Sequence, residues 1–117
     1  MKKLLAELDS IAAEINHSKE LMAAAMDSQR KLDAERAIGL ASIEQRICGD
    51  PSLRNDTQRK AAIRLCAAEE LNEIDEILEA LRYSIAEYDR QISLNRRLWT
   101  SRRLLAEWTI ASMGKQP

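Results

Sequence analysis

Phenylalanine is absent from this chain, and the other aromatics are sparse, with two tryptophans and two tyrosines among 117 residues. A compact globule of that length would normally hold more large rings, so a thick aromatic core is excluded. Glycine and proline are nearly as rare, three and two respectively, which leaves few places for the chain to turn. The two cysteines, Cys48 and Cys66, lack metal-ligand spacing and are weak grounds for a disulfide, so both are read as reduced thiols. No uncharged apolar run approaches the roughly 20 residues that span a bilayer. Glu7, Asp9 and Glu14 interrupt the apolar start, Leu4-Leu5-Ala6, before it reaches the length of a secretory signal. A cytoplasmic protein without membrane contact is expected. A formal net charge of -1 excludes an acidic tail or a polybasic arm as the role of the whole chain. No catalytic, nucleotide-binding or metal motif is present either, so neither an enzyme nor a cofactor is expected.

What the chain does have is charge and helix formers. Charged residues make up 32%, and Ala, Leu, Glu and Arg dominate, a bias that belongs to long helices and coiled coils. One stretch, Cys48-Gly49-Asp50-Pro51-Ser52-Leu53-Arg54-Asn55, stops one helix and starts another. Gly49 can close a helix in the left-handed conformation, Pro51 cannot continue one, and Asn55 followed by Gln58 has capping-box spacing. The spacing predicts one domain over 1–117: a helix over about 2–47, a turn over about 48–55 and a single helix over about 56–113.

In the first helix Leu4, Leu8, Ile11, Ile15, Ser18, Met22, Ala25, Gln29 and Leu32 recur at alternating steps of four and three, a heptad seam. Gly39 marks a bend or a close approach of another group, or is simply a tolerated glycine. In the second helix Leu71, Ile74, Leu78, Leu81, Ile85, Tyr88, Ile92, Asn95 and Trp99 recur in the same way. Beyond Trp99 the register meets Arg102 while apolar residues move to Leu98, Leu105 and Trp108, as a stutter in the repeat would produce. The seam is expected to change face there. Folding the chain at the turn pairs residues whose numbers sum to roughly 103: Leu4 with Trp99, Ile11 with Ile92, Ile15 with Tyr88, Leu32 with Leu71. The expected fold is therefore all-α, an antiparallel two-helix coiled-coil hairpin. Leu5, Ala12, Ile77, Leu98 and Leu105 widen the apolar stripe beyond one seam, which predicts self-association into a helical bundle, a dimer or higher species.

Four constellations are candidates for chemistry. Glu14-Ile15-Asn16-His17 has the Glu-x-x-His spacing of di-iron bundles, but Ile15 takes the core position and the pair reads as solvated. The acidic set Glu69, Glu70, Glu73, Asp75, Glu76 and Glu79 is either a solvated face or a dock for a basic partner, partly offset by Arg30, Lys31 and Arg36. Asn95, opposite Leu8, is a register-fixing seam asparagine. Arg96, Arg97, Arg102 and Arg103 flank Trp99, and with Lys115 they give a basic end that could contact nucleic acid through phosphate. Protein contact is the preferred use of this end. The longer second helix is expected to overhang the first by roughly 18 Å, leaving Leu104, Leu105, Trp108, Ile110 and Met113, with Leu98 beside them, as the protein-interaction site. Trp108 is the natural anchor. The alternative is a frayed terminus.

The segment Asp50-Pro51-Ser52-Leu53-Arg54-Asn55-Asp56-Thr57-Gln58-Arg59-Lys60-Ala61-Ala62 resembles one in small uncharacterised helical-hairpin proteins of phages and prophages, some encoded near recombination or single-strand-annealing genes. The resemblance implies a phage accessory protein working through contacts, and it carries over no functional residue. An interaction and oligomerisation role is the expected function. A nucleic-acid-associated accessory factor of recombination, acting through the C-terminal arginines, is the alternative.

Overall fold

In a computed structural model, described over residues 1–114, the chain is all-helical: α1 (Lys2–Cys48), α2 (Asp56–Glu70) and α3 (Asn72–Met113). It divides into two compact units. The first takes Met1–Ala24 and the chain from Ser84 onward; the second is Ala25–Tyr83. Lys115, expected as part of the basic end, lies outside the described residues.

The α1–α2 connection belongs to the second unit and differs from expectation at Gly49, which has no positive φ. Its N–H donates to the Gln45 carbonyl at 3.2 Å, and the Asp50 N–H donates to the Ile47 carbonyl at 3.1 Å, so α1 closes without a left-handed residue. Asp50 then makes the turn. Its Oδ1 accepts from the Ser52 N–H at 2.9 Å and from the Ser52 hydroxyl at 2.7 Å, and these bonds hold its carboxyl below the usual carboxylate range. Asn55 caps α2 in an extended conformation, accepting from the Gln58 N–H at 2.9 Å. Gln58 reaches back one residue further than a capping box requires, to the Arg54 N–H at 3.0 Å.

The single helix expected over about 56–113 is interrupted at Leu71, whose φ of -103° and ψ of 8° end α2. Leu71 is buried with Ile43 and Ile47, and Leu40, Leu53, Ala62, Ile63, Cys66, Ala67 and Ile74 pack around the three. Opposite Leu71 lies Gly39: a Cβ there would stand 2.8 Å from Leu71 Cδ2. Gly39 therefore marks close packing. The break also gives the acidic stretch a local reason, because Glu73 and Asp75 fall in the first turn of α3, where the exposed N–H groups favour negative charge. Asp75 accepts from Arg36 Nε at 2.6 Å, and Arg46 forks onto Glu70, with Nη1 to Oε1 at 3.1 Å. Glu69, Glu73, Glu76 and Glu79 face solvent. Lys31 turns instead to Asp27 at 3.0 Å, one helical turn away.

In the first unit Ile11, Ser18, Ile92 and Ala106 are buried. Its helices meet in a register displaced by about one heptad from the expected one. Glu7 lies 3.7 Å from Arg102, and Leu4, expected against Trp99, shares a hollow with Leu105 and Thr109. The second unit shows the same displacement, since Gly39 meets Leu71 and Arg36 meets Asp75. A shift of seven residues returns a heptad seam to itself, so both registers bury the same stripes and local packing at Leu71 and Gly39 selects between them.

Candidate functional site

The buried line of α3 keeps its strict register to the end of the helix. After Ile92 it runs through Asn95, Trp99, Arg102, Ala106 and Thr109, all buried or half-buried. The expected change of face does not occur. Beyond Trp99 small or polar side chains hold the inner positions, Arg102, Ala106 and Thr109, and Ala106 is only 6% exposed. The large apolar residues are consequently left on the outside. Leu98, Leu104, Leu105, Trp108, Ile110 and Met113 are all exposed, Trp108 to 68%.

The cause of this exposure differs from the expected overhang. Because α1 pairs one heptad further along α3, the helix around Leu98, Leu104 and Leu105 has a neighbour: Met1, Lys3, Leu4 and Glu7 line one hollow with Arg102, Leu105 and Thr109. The apolar face instead looks away from a packed stretch of helix, which holds the side chains on an ordered backbone. Leu94, also exposed at 49%, belongs to it and was not among the expected residues. Its signal lies in the sequence, because Leu94, Leu98, Ser101, Leu105 and Trp108 repeat the four-three spacing of a second seam, turned away from the first.

The four arginines separate into two kinds. Arg102 turns to Glu7, and Arg103 donates from Nε to Glu107 at 3.0 Å while its guanidinium lies 5.6 Å from the Trp99 ring centroid, within cation–π range. Arg102 thus helps close the helical pair, and Arg103 covers Trp99. Arg96 and Arg97, with Thr100, Ser101 and Leu104, line an open hollow on α3 and make no ion pair among the described residues. Of the four, Arg102 and Arg103 thus have ion-pair partners within the chain, whereas Arg96 and Arg97 have none among the described residues.

Glu14 and His17 border a groove with Ser10, Ala13, Ser18, Gln91, Leu94 and Asn95. Asn95 is thus beside Glu14, His17 and Ser18 rather than opposite Leu8, another result of the displaced register. Among the described residues no three His, Cys, Asp or Glu side chains gather as a metal would require. Both cysteines are free thiols, Cys48 exposed and Cys66 half-buried. No helix among the described residues is long and apolar enough to cross a membrane. No family model, curated protein or solved structure matches the chain.

Proposed function

We propose that this chain is a non-enzymatic interaction and oligomerisation protein: an antiparallel coiled-coil hairpin that associates with itself into a bundle through the outward face of α3. The order of contacts supports the hairpin, since low-numbered residues of α1 lie beside high-numbered residues of α3 within the first unit. The observation that carries the function is the exposed row of large apolar side chains around Trp108 on an otherwise charged helix. Burying each such side chain is worth about 1.5–3 kcal/mol, and a row of them on firm backbone drives association. A cytoplasmic accessory protein of a phage or prophage, as the resemblance over 50–62 implies, would use such a face as an adaptor. No reaction is proposed.

Light scattering over a range of concentrations tests this reading. The chain should behave as a dimer or larger species, and Leu104→Ser with Trp108→Ser should lower the assembly order at unchanged helicity per residue. Ending the chain after Arg103 is a less clean test, because it also removes Ala106 and Thr109 from the buried line. A concentration-independent monomer would refute self-association.

A second reading rests on Arg96 and Arg97, whose guanidinium groups have no ion-pair partner among the described residues. As a nucleic-acid-associated factor, the protein would bind single strands with affinity that falls steeply with salt. Arg96→Gln with Arg97→Gln should then reduce the salt slope by about 1.4. Binding unaffected by salt and by these changes would exclude that role.

A further inference from the structure

The outward face of α3 has a symmetry that selects its occupant. Read forwards, the second seam is large, large, small, large, large: Leu94, Leu98, Ser101, Leu105, Trp108. Read backwards it is the same. A two-fold axis through Ser101 would place Leu94 level with Trp108 and Leu98 level with Leu104, one residue from Leu105, while the two small serines meet at the centre. An isologous interface needs this self-complementarity, one patch fitting its own rotated copy. We propose that a second copy of this chain docks α3 against α3, the two helices antiparallel and crossing at Ser101. This inference rests on the self-association proposed above and specifies its geometry.

Three further observations favour it. The hollow lined by Arg96, Arg97, Thr100, Ser101 and Leu104 lies where the two helices would approach most closely, and the small side chains of Thr100 and Ser101 leave the space that a close crossing requires. Charge favours the antiparallel over the parallel arrangement. In a parallel pair Arg97 of each copy would stand beside Arg102 of the other, like charge against like; in the antiparallel pair Arg97 comes level with Leu105 of the other subunit. Arg102, beside the axis, has Glu7 of its own chain 3.7 Å away to offset its charge. The seam is also long enough. Leu94 to Trp108 covers about 21 Å of helix, four turns of contact contributed by each copy.

Disulfide trapping decides between arrangements. In a chain carrying Cys48→Ser and Cys66→Ala, Ser101→Cys should form a disulfide-linked dimer under air oxidation, because two-fold-related Cβ atoms at the crossing can reach the separation a disulfide needs. Leu94→Cys in the same background should not, since Trp108 of the other copy lies opposite it, and Tyr83→Cys, at a well-exposed position, gives the rate of chance collision. A trapped Leu94→Cys dimer would mean a parallel pair and would overturn the proposal. Independently, Ser101→Arg sets two like charges on the axis and should weaken dimerisation about a hundredfold, the loss typical of an interface hot spot, with helicity unchanged. If light scattering shows a dimer but Ser101→Cys does not trap and Ser101→Arg still dimerises, association runs through another face: self-association stands and this geometry falls. If the unaltered chain is monomeric at every concentration, both fall together.

Discussion

Replacing Gly39 by alanine sets two opposing effects against each other, and the structure decides their sum. In an open helical site the change should stabilise the fold by about 1 kcal/mol, the difference in helix propensity. Here the new Cβ would stand 2.8 Å from Leu71 Cδ2, whereas carbon atoms in good contact lie about 3.5–4.0 Å apart. Leu71 must therefore retreat by nearly an ångström. It has little room to do so, being 5% exposed and wedged against Ile43 and Ile47 where α2 gives way to α3. Overpacking of this kind costs about 1–3 kcal/mol, so the net change should be a loss of about 1 kcal/mol, or roughly 4 °C in melting temperature for a chain of this length. Thermal and urea melts followed by circular dichroism, at one fixed protein concentration, would measure it. Leu71→Ala alone should cost about 2–5 kcal/mol. In the Gly39→Ala background it should cost less, because the added methyl takes up part of the space, and the double-mutant cycle should show coupling of about 1–2 kcal/mol. Gly49→Ala is the control: its Cβ would meet only the Arg46 and Gln45 carbonyls at 3.6 Å, and its φ is not positive, so no loss is expected. If Gly39→Ala stabilises the protein by the full propensity difference and the cycle shows no coupling, the close approach at Leu71 is wrong.

Other changes test other parts of the structure. Asn55→Ala removes the acceptor for the Gln58 N–H and should destabilise α2 by about 1 kcal/mol in the same melts, whereas Asn55→Asp should be nearly neutral. The hydrogen bonds from Arg46 hold the Glu70 carboxyl below its ordinary range. A carboxyl lowered in the folded state adds stability above its unfolded pKa and loses it as pH falls through the folded one, so wild type and Arg46→Gln should differ at neutral pH and converge in strong acid, where the carboxyl is protonated in both states. Equal offsets at both pH values would show that the pair contributes nothing. Ala106→Leu forces a large side chain into the packed line of α3 and should cost about 1–3 kcal/mol, whereas a large side chain at the neighbouring Leu105 position is already tolerated in the native chain. An Ala106→Leu protein as stable as the wild type would place the inner face of α3 elsewhere.

Much of this protein is legible in local pattern. The inner line of α1 through Leu4, Leu8, Ile11, Ile15, Ser18, Met22, Ala25, Gln29 and Leu32 is buried or half-buried at each of those positions, and the line from Leu71 along α3 to Trp99 behaves in the same way. Helical periodicity is a property of one segment of sequence, so it can be read there. The stop at Pro51 and the cap at Asn55 are local too. Pairing is not local. A heptad seam slid by seven residues presents the same pattern, and only the meeting of Gly39 with Leu71, Arg36 with Asp75 and Glu7 with Arg102 fixes which residues face each other. The same packing breaks the long helix at Leu71, which carries no breaker residue to announce it. It also decides the candidate surface: by holding Arg102, Ala106 and Thr109 inward against α1, it turns Leu98, Leu105 and Trp108 outward, although their size and apolarity would by themselves have placed them in the seam.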